Sequence, residues 1–289
     1  MAQTILPVKW GKIEQGSIFS GALSEDYKGC DIHGLIITAR CDLAHDKTQI
    51  FNYLPIAKMQ DWIDRDFKSI VCQRWMNEIE GNLRSTLNTA GHSPNILTTE
   101  PLASIIEKLF PADAADKKTK TARDRLEKIN STILKLEKIN KENKLKPFLP
   151  PDDKSFASIC RQALDDCIRQ KLSGYYFLDS ISPDGDKHGY VALLREVRHL
   201  PRNLAIKIAA GIEKPEYELH CRHHPEAANK ICFDSTDFAF PIGVLRSPEI
   251  EHLLQSFSLL FSRIGLTDPE TTYIDKLKEH HSISTKEES

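Results

Sequence analysis

Gln49-Ile50-Phe51-Asn52-Tyr53-Leu54-Pro55-Ile56 decides the fold, together with the segment that begins at Met59. The run is β-branched and aromatic and is bounded by turn-forming residues, which is how a strand reads. At Met59 the period changes. Met59, Trp62, Ile63, Phe67, Ile70, Val71, Trp75 and Ile79 recur at three and four residues, the stripe of an amphipathic helix. Upstream, Gly34-Leu35-Ile36-Ile37 predicts a second strand, and Trp10-Gly11 with Gln15-Gly16-Ser17-Ile18-Phe19 a turn leading into another. A β-rich beginning therefore hands over to a long helix.

Further along, residues 81–98 read as polar and irregular. Pro101 with Leu102, Ile105, Ile106 and Leu109 predicts a helix that ends before Pro111. The most biased stretch is 117–146, with eleven basic side chains against four acidic ones, yet Leu126, Ile129, Ile133, Leu136 and Ile139 keep a helical spacing within it. Leu-Glu-Lys-Ile-Asn occurs at 126–130 and again at 136–140, on different helical faces, so it is low complexity rather than a structural repeat. Pro147 and Pro150-Pro151 mark a linker. Phe156, Ile159, Cys160, Ala163, Cys167, Ile168 and Leu172 predict a further helix. Tyr175-Tyr176-Phe177-Leu178 and Tyr190-Val191-Ala192-Leu193-Leu194, flanking Ser182-Pro183-Asp184-Gly185-Asp186, suit a hairpin. A short helix is expected over 201–210, extended chain over 217–220 and 231–245, and a last helix from Ser247-Pro248 along Ile250, Leu253, Leu254, Phe257, Leu260, Phe261 and Ile264.

The 289 residues carry 39 Lys and Arg against 41 Asp and Glu, a formal charge of -2, so any anionic partner has to be met by a local patch. The beginning of the chain shows no secretory pattern and no eighteen-residue apolar run occurs, which predicts a soluble cytoplasmic protein that does not enter membranes. Seven scattered cysteines in such a chain read as reduced thiols. Phosphate loops of the Walker type, the dinucleotide fingerprint, the Gly-x-Ser-x-Gly elbow and His-Glu-x-x-His are all missing.

Three constellations could carry chemistry. Thr38-Ala39-Arg40-Cys41-Asp42-Leu43-Ala44-His45 follows a strand, so Arg40, Asp42 and His45 are candidate catalytic residues; the plainer alternative is a polar loop. Cys41 with His220, Cys221 and Cys232 offers the sulfur and nitrogen ligands that zinc prefers, although no Cys-x-x-Cys knuckle is present. Histidines 223 and 224, on an extended segment, would point apart. Lys117, Lys118, Lys120, Arg123 and Arg125 could neutralise phosphates, and without aromatic residues over 117–146 such contact would follow the backbone and read no sequence.

Trp10-Gly11-Lys12-Ile13-Glu14-Gln15-Gly16-Ser17-Ile18 resembles the opening Gly-Asp-Ile/Val turn and strand of the PemK/MazF family, small SH3-like barrels of bacterial toxin–antitoxin systems. Gly34-Leu35-Ile36-Ile37-Thr38 is similar to that family's Pro-Val-Leu-Val-Ile-Ser strand, Tyr53-Leu54-Pro55-Ile56 to its Ala-Pro-Ile-Thr strand, and Ile242-Gly243-Val244-Leu245 to its closing turn. The chain departs from the family at its catalytic positions: Asp31-Ile32-His33 stands where the arginine precedes the strand, and Ala57 where the threonine follows Pro-Ile. The resemblance implies a small barrel more than ribonuclease activity. Residues 246–252 and 261–265 are also similar to segments of uncharacterised proteins of bacterial defence loci.

The expected fold is α+β: a partly open SH3-like, PemK-like β-barrel built from both chain ends (1–58 and 173–265), a mainly helical insertion (59–172), and a carboxy-terminal helix and frayed tail (266–289). The expected function is a non-catalytic component of a bacterial antiphage-defence or toxin–antitoxin-like system, binding nucleic acid or a partner protein. The alternatives are an RNA-cleaving toxin working through Arg40, Asp42 and His45, and an interaction module stabilised by zinc.

Overall fold

A computed structural model describes residues 4–44, 47–141, 148, 150–185, 188–234 and 236–261. In chain order the elements are β1 (Ile5–Leu6), β2 (Ser17–Ser20), β3 (His33–Ile36), α1 (Arg40–Ala44), β4 (Ile50–Lys58), α2 (Met59–Trp62), a π-helical turn (Ile63–Phe67), α3 (Lys68–Ala90), α4 (Leu102–Leu109), α5 (Lys117–Lys141) and α6 (Lys154–Ile168). Next come β5 (Tyr175–Leu178), β6 (Tyr190–Leu193), β7 (Arg198–Pro201), α7 (Arg202–Ala210), β8 (Ile212–Glu213), α8 (Lys214–His223), β9 (Phe238–Ala239), β10 (Pro241–Leu245) and α9 (Glu249–Leu259).

β4 organises the sheet. On one edge it pairs antiparallel with β3, from Tyr53 opposite Ile36 to Ile56 opposite His33. The other edge is shared: Ile50 to Tyr53 pair with β7, and Ile56 to Lys58 pair with β6. Between these two pairings lie Leu54 and Pro55. Proline has no N–H to give a ladder, and the partner strand changes at that point. The full order is β1-β10-β2-β3-β4-β6-β5, with β7 branching from β4, and every pairing is antiparallel. β10 enters between β1 and β2, with Leu245 opposite Ile5 and Val244 opposite Ser17, so the two ends of the chain build one curled, half-barrel sheet.

Both faces of this sheet are covered, which explains why β2 and β3 are buried at every position rather than alternating. On one face Ile18, Leu35, Leu54, Ile56 and Ala192 pack with Ile250 and Leu253 of α9. On the other, Phe19, Tyr53, Phe51 and Val191 join Trp62, Trp75, Phe156 and Leu204 from the helices. The helical stretch after Met59 thus shares its core with the sheet. α3 then runs about 35 Å, and its far half forms a second core: Leu83 and Leu87 pack with Ile105, Ile106, Phe110, Ala122 and Leu126 of α4 and α5.

Three expectations need correction. Residues 81–90 are helical, because Leu83 and Leu87 continue the stripe of Ile79 under a polar exterior; α3 stops at Gly91, whose φ of 92° lets His92 N–H reach the Leu87 carbonyl at 3.0 Å. Residues 217–220 lie within α8, which starts with Pro215 in its first turn, rather than in extended chain. α9 begins at Glu249 with Pro248 in the cap position, so Ser247 caps no helix by its side chain. The expected tail at 266–289 lies outside the described residues.

Gly34 sits where two aromatic rings close over β3. A methyl group there would lie 2.3 Å from the Phe19 ring and 3.0 Å from Tyr53, whereas one on Gly81 of α3 would meet nothing within 4 Å. Gly34→Ala is therefore expected to destabilise the fold by about 2 kcal/mol and Gly81→Ala to stabilise it by about 0.5–1 kcal/mol. Urea midpoints at unchanged slope measure both.

Candidate nucleic-acid interface

α5 owes its position to its apolar side. Asp116 accepts a hydrogen bond from Thr119 N–H at 2.8 Å and holds the start of the helix; the Thr119 hydroxyl, then that N–H, lowers the Asp116 carboxyl pKa. Ala122 and Leu126 then enter the distal core, while Leu136 and Ile139 enter the main one. Beside that apolar side lie Lys117, Lys118 and Arg125, with Lys120 further round the helix, all four exposed. The lysine-rich helix is thus neither buried nor detached; it lies along α3 with its charge outward.

Arg123 differs from its neighbours. Its guanidinium donates to the Phe110 carbonyl at 2.5 Å and pairs with Glu127 at 2.7 Å, which ties the end of α4 to α5. No ion pair holds Lys117, Lys118, Lys120 or Arg125 among the described residues. Lys144 and Lys146 lie outside them.

Two adjoining grooves run between α3 and α5. The larger, of about 740 Å³, is lined by mixed charge: Arg125, Lys128 and Lys154 against Glu78, Asp152 and Asp153. Its acids have structural work, since Asp153 caps α6 through Ser155 and Phe156 N–H and Glu78 accepts from the Ser155 hydroxyl at 3.0 Å. The smaller groove, of about 450 Å³, is lined by Lys117, Lys118 and Arg125 with Thr86, Thr89, Thr121 and two alanines, and by no carboxylate. Its threonine hydroxyls already donate to helix carbonyls at 2.8 to 2.9 Å. The donors facing the groove are therefore the three cations.

The placement of these cations runs against helix electrostatics. The first turn of a helix carries a partial positive charge and favours acidic side chains, by about 0.3–1 kcal/mol each. α5 has no acidic residue in its first turn and has Lys117, Lys118 and Lys120 there. Lysine charge therefore gathers at one end of the smaller groove, where the Asp116 carboxylate already caps the helix through Thr119 N–H.

Of the other constellations, the zinc set does not assemble among the described residues. Arg40, Cys41 and Asp42 sit on α1, where Arg40 pairs with Glu251 of α9 at 3.3 Å and the Cys41 thiol contacts Asp42 at 3.5 Å. His45 lies outside the described residues. Among those described, no group of three or more His, Cys, Asp or Glu could hold a metal ion, so Cys41, His220, Cys221 and Cys232 form no zinc set. On α8 and at its end, His220 and His224 stack on each other, ring centroids 4.5 Å apart. Desolvation, then the neighbouring His224, lowers the His220 pKa. All seven cysteines are free, and burial raises the thiol pKa of Cys160 to about 11 and of Cys167 to about 12. No helix of the described chain is long and apolar enough to cross a membrane.

The division of labour along α5 is open to measurement. Arg123→Ala is expected to lower stability by about 1–2 kcal/mol, while Lys118→Ala and Arg125→Ala stay within about 0.5 kcal/mol of the parent, all by urea denaturation. No protein-family model, no curated protein and no solved structure matches this chain.

Proposed function

We propose that this chain binds nucleic acid, holding a sugar–phosphate backbone along the groove between α3 and α5 without reading sequence. One observation carries the proposal: a groove walled by Lys117, Lys118 and Arg125 contains no lining carboxylate, although the protein as a whole is slightly acidic. Direct base recognition has little support there, because Trp75, the aromatic residue lining the adjoining groove, is 2% exposed and packed on Phe156. The resemblance of four short segments to PemK/MazF barrels, and of two others to proteins of bacterial defence loci, is what supports a role as the non-catalytic component of a bacterial defence or toxin-like system. The curled sheet built from both chain ends agrees with that resemblance in outline.

Fluorescence anisotropy with a labelled single-stranded oligonucleotide and the corresponding duplex tests the proposal. Three phosphate contacts predict a slope of log affinity against log salt of roughly -2 for the single strand and roughly -3 for the duplex. The combined Lys117→Glu, Lys118→Glu, Arg125→Glu variant is expected to lose at least ~10-fold in affinity and to flatten that slope, with Arg161→Glu on the exposed side of α6 unchanged. Salt-independent binding, or affinity equal in the charge-reversed variant, would remove this assignment.

A further inference from the structure

The two grooves between α3 and α5 form one continuous trough, because Thr86 and Arg125 line both of them. Along the α5 wall, Lys118, Thr121, Arg125, Lys128 and Thr132 follow at intervals of three and four residues and so share one helical face. Opposite them, α3 presents Glu78, Asn82, Ser85 and Thr89 at the same intervals. One wall therefore carries the cations, and the other is neutral until Glu78.

Charge changes along this trough at Arg125. From Lys117 to Arg125, a rise of about 12 Å along the helix, Lys117, Lys118 and Arg125 line it without a carboxylate. Past Arg125, Lys128 and Lys154 stand among Glu78, Asp152 and Asp153. Two of those carboxylates are held where they are: Asp153 accepts from Ser155 N–H at 2.9 Å and Phe156 N–H at 3.2 Å, and Glu78 accepts from the Ser155 hydroxyl at 3.0 Å. Turning aside for an incoming phosphate would break those bonds.

We propose, on the reading of this groove as a nucleic-acid site, that Glu78 and Asp152 set the length of single strand it holds. Phosphates pair with Lys117, Lys118 and Arg125, and the strand leaves the trough at Arg125 instead of following it further. About 12 Å takes three to four nucleotides at a rise of about 3.4 Å each. A phosphate placed beyond that point would meet Lys128 or Lys154 together with fixed carboxylates. Counterion release, which drives backbone binding, then gains nothing from the extra contact. Stacking offers no substitute there, since Trp75 and Ile79 are buried under the groove and present no open ring to a base.

Anisotropy of end-labelled oligothymidylates with the full chain tests the length limit: a tetramer, which has three phosphates, against a dodecamer, which has eleven. In the parent both are expected to give the same slope of log affinity against log salt, roughly -2, and Lys128→Ala to leave both slopes unchanged. In the combined Glu78→Gln, Asp152→Asn variant the tetramer slope is expected to stay, while the dodecamer slope steepens to about -3.5 as Lys128 and Lys154 join the contact. A dodecamer slope already near -3.5 in the parent, a shallower one in Lys128→Ala, or no steepening in the combined variant overturns the length limit and leaves the groove reading standing. Salt-independent binding of both oligonucleotides by the parent, or no binding of either, overturns the groove reading and the length limit with it. Should the combined variant fail to fold, as judged by circular dichroism, the two parent slopes and Lys128→Ala decide.

Discussion

The structure depends on the hydrogen bonding of β4 along both of its edges. A strand in that position must satisfy its backbone on two sides, and here β3 supplies one side while β6 and β7 divide the other. The division falls at Leu54-Pro55, where proline removes a donor. It brings the connection between β6 and β7, and with it Arg195, Glu196 and Arg198, to the side of the sheet from which the long helix departs. A continuous partner strand would leave no such corner.

The helices are set by the same strand. β4 passes into α2 without an intervening loop, and Met59 N–H donates to the Gly189 carbonyl, so the direction of the helix is fixed at its first residue. Trp62 and Trp75 then anchor it to the sheet, and everything beyond about Ile79 projects past the sheet and needs partners of its own. α4 and α5 supply them. The basic groove is therefore a by-product of covering an overlong helix: α5 arrives for its leucines and carries its lysines with it. At the other end of the same helix the π-helical turn buries Phe67 against the sheet-side core.

Much of this was legible in advance. The strands at 34–37 and 49–56, the change of period at Met59, the hairpin around 182–186 and the helices near Leu102, Lys117 and Phe156 come from spacing that survives folding because each element buries one or both of its faces. The basic character of the stretch 117–146, which contains α5, is equally plain, since eleven cations against four anions cannot be neutralised locally. Arg123 looked like its neighbours and turned out otherwise, because its carbonyl partner, Phe110, is thirteen residues away and just past the end of another helix. The pattern predicts extended chain at 217–220 and under histidines 223 and 224, whereas Pro215 starts α8 there and His220 stacks on His224 at its end.

Local spacing of apolar residues determined, without any coordinates, the kinds of element, most of their positions and the sign of the charge on α5, because periodicity and composition are properties of neighbours along the chain. Tertiary structure alone decided which cations face a groove and which are tied down, and that Cys41 never joins Cys232 in a metal set. Those outcomes depend on contacts between residues dozens of positions apart, formed when β10 enters beside β2 and β4 chooses its partners, and no local pattern encodes a distance of that kind.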